Sequence, residues 1–83
     1  MEAVREQEYG AMVGVPLRAW REYKGLSQRQ LAASAGVGLA TIVRIERGDL
    51  ARPSTRQRLA TALGVSHEQL VTGPSFGQQS RGS

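Results

Sequence analysis

Apolar positions between residues 16 and 72 recur at helical spacing in five short bursts, each closed off by glycine, serine or proline. Leu17 and Trp20 stand at i and i+3 and predict a first helix over about 16–24. Pro16 suits its first turn and Gly25 its stop. Ser27-Gln28-Arg29-Gln30 has the form of a capping box, in which a serine oxygen and a glutamine side chain satisfy each other's orphan N–H groups. It opens a second helix over about 28–35, with Leu31 and Ala35 on the apolar face, Gly36 at the end and Val37 plugging the turn. A third helix covers about 39–47, from Gly38 at the N-cap to Gly48. Residues 49–53 read as a loop. A fourth helix covers about 54–63, with Leu59, Ala60 and Leu63 as its stripe and Gly64 as its stop. Ser66-His67-Glu68-Gln69 is a second capping box and opens a short fifth helix carrying Leu70 and Val71. No segment alternates with period two for long enough to make a strand.

The chain of 83 residues holds one small core and no second. Three regions follow: an acidic N-terminal tail over 1–14, of which 2–9 has the composition of a marginal helix; a helical domain over 15–72; and a C-terminal tail over 73–83. That last stretch is rich in Gly, Ser and Gln, and is expected to be disordered. There is no cysteine, which excludes a disulfide framework and a cysteine zinc site, and His67 has no second histidine with which to share a metal. No cofactor or metal is expected. No apolar run approaches the roughly 18 residues of a membrane span, and the acidic N-terminus is unlike a secretory signal. The expected location is the cytoplasm. No nucleophile–base pair or Gly-rich phosphate loop stands out, so no enzyme is expected.

The formal charge of +4 is unevenly spread. Residues 1–14 carry Arg5 against Glu2, Glu6 and Glu8, while residues 15–64 carry nine basic residues against Glu22, Glu46 and Asp49. Eight of those nine are arginine, whose planar fork suits phosphates and guanine edges. Charge by itself is compatible with a solvated basic surface or with a polyanion partner. Trp20 and Tyr23 could serve as a stacking platform for single strands, but Trp20 lies on the inward stripe and is expected in the core. Tyr9 and Phe76, in the tails, could dock on the domain or on a partner. His67 is expected to be solvated.

The second helix, the Gly36-Val37-Gly38 turn and the third helix have the spacing of a helix-turn-helix. Ala32 is small enough for the third helix to cross closely. Gly36 permits the positive φ of a tight turn, and Leu31, Val37, Ile42 and Ile45 close the joint. With Leu17…Trp20-Arg21, Gly25-Leu26-Ser27-Gln28, Leu31-Ala32, Gly36-Val37, Thr41-Ile42, Arg44-Ile45-Glu46-Arg47-Gly48, Pro53-Ser54 and Leu59-Ala60…Leu63-Gly64-Val65, the stretch from Leu17 to Leu70 resembles the XRE family, the Cro and phage-repressor type of helix-turn-helix domain. The resemblance implies an all-α, five-helix bundle that puts the third helix into the major groove of double-stranded DNA.

At 100° per residue, Ile42 and Ile45 mark the inward side of the third helix. Ala40, Val43, Arg44 and Arg47 point outward, with Leu39 and Thr41 on the flanks. The resemblance assigns base contacts to Leu39, Ala40 and Arg44, with Val43 on the same face. Leu39 and Ala40, where the family usually shows polar residues, could pack on thymine methyl groups while Arg44 reads a guanine. Alternatively, they form an apolar helix start that touches no base. Phosphate contacts are expected from Gln28, Arg29, Thr41, Arg47 and Arg52. Gln28 does so by resemblance, with plain helix-start chemistry as its alternative, and Arg52 as the basic position before a proline. Arg21 and Glu46 match a structural ion pair that ties the first helix to the end of the third. Arg56 departs from the family, which tends to be apolar there, and a thinner core is expected around it. The function implied is a transcriptional regulator, a repressor binding a palindromic operator as a homodimer and nucleoid-associated when DNA-bound. The alternative is an antitoxin that binds its own promoter and a toxin partner.

Overall fold

The computed structural model describes residues 10–74. Five helices follow one another in the described chain: α1 (Gly14–Tyr23), α2 (Gln28–Ala35), α3 (Leu39–Glu46), α4 (Pro53–Leu63) and α5 (His67–Thr72). The fold is the all-α, five-helix bundle expected, with no strand among the described residues. The expectations for residues 1–9 and 75–83, Tyr9 and Phe76 included, lie outside the described residues.

Local signals set most helix ends. Ser27 Oγ accepts from Gln30 N–H at 3.0 Å and Gln30 Oε1 accepts from Ser27 N–H at 2.8 Å, so the capping box of α2 is closed in both directions. Ser66 and Gln69 repeat it at α5 with the same two distances. Gly36 ends α2 at φ 71°, and the chain turns back so that Val37 N–H donates to Ala32 C=O at 3.1 Å. Proline occupies the first position of α4, one residue earlier than expected, where its missing N–H costs no hydrogen bond. α3 ends at Glu46, with Arg47 as the cap.

α1 departs from expectation. It starts at Gly14 rather than near Pro16, from a Val13 cap that makes no side-chain hydrogen bond. Its first turn closes through Leu17 N–H to Val13 C=O at 2.8 Å, and Val13 is fully buried. A Cβ on Gly14 would strike the Ile45 carbonyl. The bare glycine therefore lets the start of α1 lie against the end of α3. Packing, and not a capping residue, decides this boundary.

The core joins Leu17 and Trp20 of α1, Leu31, Ala32 and Ala35 of α2, Ile42 and Ile45 of α3, Leu59, Ala60 and Leu63 of α4, and Leu70 of α5. These are the apolar stripes read from the sequence, joined by Val13 and Ala51. α1 packs on α3 and α5, α2 on α3 and α4, and α4 on α5. Trp20 is buried and its indole Nε1–H donates to Gln69 C=O at 2.7 Å, which ties α1 to α5 and removes it as a stacking platform.

Three details go beyond what the chain announces. Residues 11–14, assigned to the N-terminal tail, lie against the helices. Ala11 pairs with Ala51 in an isolated antiparallel bridge, N–H to C=O at 2.9 and 2.8 Å, and Val13 and Gly14 are buried. Val71 is 43% exposed, because a six-residue helix turns only Leu70 fully inward. Arg56 is half-buried and occupied: its Nη1–H donates to Ala51 C=O at 2.6 Å and its Nε–H to His67 Nε2 at 3.1 Å. The guanidinium thus holds the loop after α3 to the start of α5, and His67, though exposed, accepts a hydrogen bond from it.

Candidate nucleic-acid interface

α3 presents two faces. Ile42 and Ile45 are buried against the core, while Ala40 and Arg44, with the cap Arg47, are exposed. Thr41 and Val43 are half-buried. Leu39 is half-buried too and packs against the core, so the open face rests on Ala40, Arg44 and Arg47. Ala40, Arg44 and Arg47 therefore lie where 100° per residue puts them, while Val43, expected outward, is half-buried.

A cleft borders α3 on each side. One, of about 520 Å³, runs between α3, the following loop and the start of α4, and is lined by Thr41, Arg44, Asp49, Leu50, Arg52 and Thr55 among others. The second, of about 370 Å³, is lined by Arg18, Arg21, Gln28, Val43, Glu46 and Arg47. Six of the nine expected base and phosphate residues thus line these two clefts: Thr41, Arg44 and Arg52 the first, Gln28, Val43 and Arg47 the second. Leu39 and Ala40 at the start of α3 and Arg29 on α2 line neither cleft.

The second cleft is built around Glu46. Its carboxylate takes both edges of one guanidinium, Arg21 Nε at 2.7 Å to Oε2 and Nη2 at 3.1 Å to Oε1. Arg21 Nη1 donates to Leu26 C=O at 2.8 Å. The side chains are only 12% and 6% exposed, so the ion pair expected between α1 and α3 forms and is shielded from water. The hydrogen bond from Arg21 to Glu46 raises the arginine above its ordinary range, against the opposing effect of burial, and it stays charged. Gln28 Nε2–H also donates to Glu46 Oε1, at 3.0 Å. The glutamine expected on a phosphate is thereby oriented by the same carboxylate. Its amide nitrogen still has a second hydrogen to offer.

The start of α2 also offers backbone donors. Ser27 and Gln30 N–H are used by the capping box, and Leu31 N–H bonds Ser27 C=O at 3.0 Å. That leaves Gln28 and Arg29 N–H, with an exposed Arg29 side chain beside them, for an outside anion. Arg52 is exposed at the cap of α4. On the first cleft Arg44 Nε stands 3.6 Å from Asp49 Oδ2, with both side chains exposed.

Sequence reasoning passed over three contributors. Arg18 lines the second cleft and pairs with Glu22 at 2.9 Å, a partnership that the i, i+4 spacing announces. The bond from Gln28 to Glu46 and the return of Asp49 to Arg44 have no such periodic signal. Among the described residues no group of three or more His, Cys, Asp or Glu could hold a metal ion. No helix there is long and apolar enough to cross a membrane.

The sequence profile of the helix-turn-helix family matches residues 17–70. The HTH-type transcriptional repressor RghR of Bacillus subtilis (strain 168) is 43% identical over 60 residues, which cover 70% of this chain and 44% of that protein. The chain thus spans less than half the length of that relative. Among solved structures, the restriction-modification controller protein C.AhdI from Aeromonas hydrophila superposes with a TM-score of 0.68 at 35% identity, over 71% of this chain and 91% of that one. The hypothetical transcription factor NHTF from Neisseria gives a TM-score of 0.68 at 31% identity, over 83% and 80%. These relatives are named as regulators or transcription factors, not as enzymes. Both the residues quoted for the resemblance and the helices that carry them fall within the matched span, and the chain belongs to the helix-turn-helix family, as a DNA-binding domain of the XRE, Cro and phage-repressor type.

Proposed function

We propose that the protein is a cytoplasmic, sequence-specific regulator of transcription that acts as a repressor by occupying operator DNA. The observation that carries this reading is the outer face of α3, where exposed Arg44 and Arg47 lie beside two clefts lined by further arginines. In this reading α3 enters the major groove. Arg44 takes a guanine edge, while exposed Ala40 and the open side of Val43 face base edges and thymine methyl groups, and Leu39, packed in part against the core, reaches them only with its outer side. Gln28, Arg29, Thr41, Arg47 and Arg52 hold the flanking phosphates and set the register. The names of the relatives, a repressor and a controller protein, support the regulatory role.

The eight residues of α3 span only about 12 Å, enough for a few base pairs. Two copies on a palindrome double the sequence read, so the functional unit proposed is a homodimer. The test is a binding selection from randomised duplex DNA, followed by titration of the enriched duplex at rising salt. Enrichment of a two-fold symmetric site is expected. With about 6–10 phosphate contacts per dimer, its affinity should fall by several orders of magnitude between about 50 and 200 mM salt. No enriched sequence, or an affinity indifferent to salt, refutes the proposal.

A further inference from the structure

Asp49 is the acidic residue on the larger cleft, whose charged neighbours there are Arg44 and Arg52. Its place is set by the backbone. Gly48 adopts φ 119°, and the chain reverses so that Gly48 N–H donates to Ile45 C=O and Asp49 N–H to Arg44 C=O, each at 3.0 Å. This turn brings the Asp49 carboxylate back along α3 to Arg44, with Oδ2 at 3.6 Å from Nε.

The two side chains are 62% and 63% exposed, so the pair adds little to folding. A carboxylate on a face that meets a polyanion also opposes binding to any duplex. What the carboxylate can still do is orient Arg44, the charge nearest to it on this cleft. A guanidinium offers five N–H donors in one plane. A carboxylate beside Nε leaves the two terminal nitrogens as a free fork, the shape that matches guanine O6 and N7. It also discourages Arg44 from swinging to a phosphate, since that would leave Asp49 facing the DNA backbone alone.

We propose that Asp49 is a positioning residue that acts through Arg44 to favour guanine readout over phosphate contact. The proposal rests on the reading of Arg44 as a base contact. It links two properties: preference for guanine at one base pair, and weak affinity for unrelated duplex DNA.

The experiment uses the full chain and the duplex enriched by selection. Four duplexes are made that differ only at the base pair whose preference is lost in Arg44→Ala, together with one unrelated duplex. Affinities are measured by fluorescence anisotropy for the wild type, Asp49→Asn, Asp49→Ala and Glu68→Gln. The last removes an equal charge from α5, outside both clefts. Asp49→Asn and Asp49→Ala are each expected to reduce the guanine preference roughly two- to fivefold, the size an exposed pair supports. Both should tighten binding to the unrelated duplex by a similar factor. Glu68→Gln should leave the guanine preference unchanged. If the Asp49 variants shift all four duplexes by one common factor, Asp49 contributes only bulk charge and the proposal is overturned. If Arg44→Ala leaves every base preference intact, the base-contact reading fails first and the role of Asp49 falls with it.

Discussion

The Arg21–Glu46 pair gives the sharpest test of how the interface is held. Glu46→Ala would leave the Arg21 guanidinium, whose side chain is 12% exposed, with the Leu26 carbonyl as its one hydrogen-bond partner among the described residues and the more distant charge of Glu22, and would free the Gln28 amide. Breaking a buried pair from one side costs roughly 3–5 kcal/mol, because a charge remains in a poorly solvated site. The residual exposure of Arg21 places the expected loss near the lower end, at about 3 kcal/mol. A domain of this size has only about 3–10 kcal/mol in total. Glu46→Gln is therefore the milder companion, since it keeps the shape and one acceptor oxygen. Arg21→Ala leaves Glu46 with the Gln28 amide, and its cost is expected to be somewhat smaller. The double mutant removes both charges, so its loss should fall short of the sum of the single losses by about 1–3 kcal/mol. Urea midpoints read at constant slope give all four corners of the cycle. Because Glu46 ends α3 and orients Gln28, Glu46→Gln should also weaken DNA binding without a contact to DNA. Additive effects below about 0.5 kcal/mol each, the size of ordinary surface substitutions, would refute both the pair and the way α1 is joined to α3.

Gly14→Ala should destabilise by roughly 1–3 kcal/mol, since its methyl group meets the Ile45 carbonyl, a rigid backbone neighbour; a thermal midpoint at or above the wild type would contradict the close approach of α1 to α3. Trp20→Phe should cost about 1–3 kcal/mol by leaving the Gln69 carbonyl without its indole donor and by removing ring volume, read from urea midpoints. Ser66→Ala should cost about 1 kcal/mol and fray α5 first, seen as faster amide exchange over 67–70 than over α2. Gln28→Ala should weaken enriched and unrelated duplexes by about the same factor, as expected of a phosphate contact; a loss confined to one base pair would show that it reads sequence.

Much of the fold was legible in the chain because its signals are local. A serine three residues before a glutamine caps α2 and α5, and glycines at 36, 48 and 64 adopt the left-handed region that few other residues tolerate. Apolar spacing named ten of the thirteen buried hydrophobic residues among those described, because the inward side of a helix follows from 100° per residue alone, and Ala32 was marked by its small size at the helix crossing. The same arithmetic put Arg44 and Arg47 on the outside of α3. The Arg21–Glu46 pair came from the family resemblance, and crossing helices then brought its charges within bonding distance.

What the tertiary structure alone decided depends on residues far apart in sequence. The start of α1 is set by the fit of Gly14 against the end of α3, and Val13 is buried only because that fit draws it inward. Ala11 and Ala51 carry no side-chain signal for pairing; they bridge because the chain entering α1 runs beside the loop leaving α3, which Arg56 also holds. The carboxylate of Glu46 serves Gln28 as well as Arg21 because three helices converge there. Periodicity and capping act within about one helical turn and can place a side chain on a face, whereas the partner opposite it is chosen by how the helices cross.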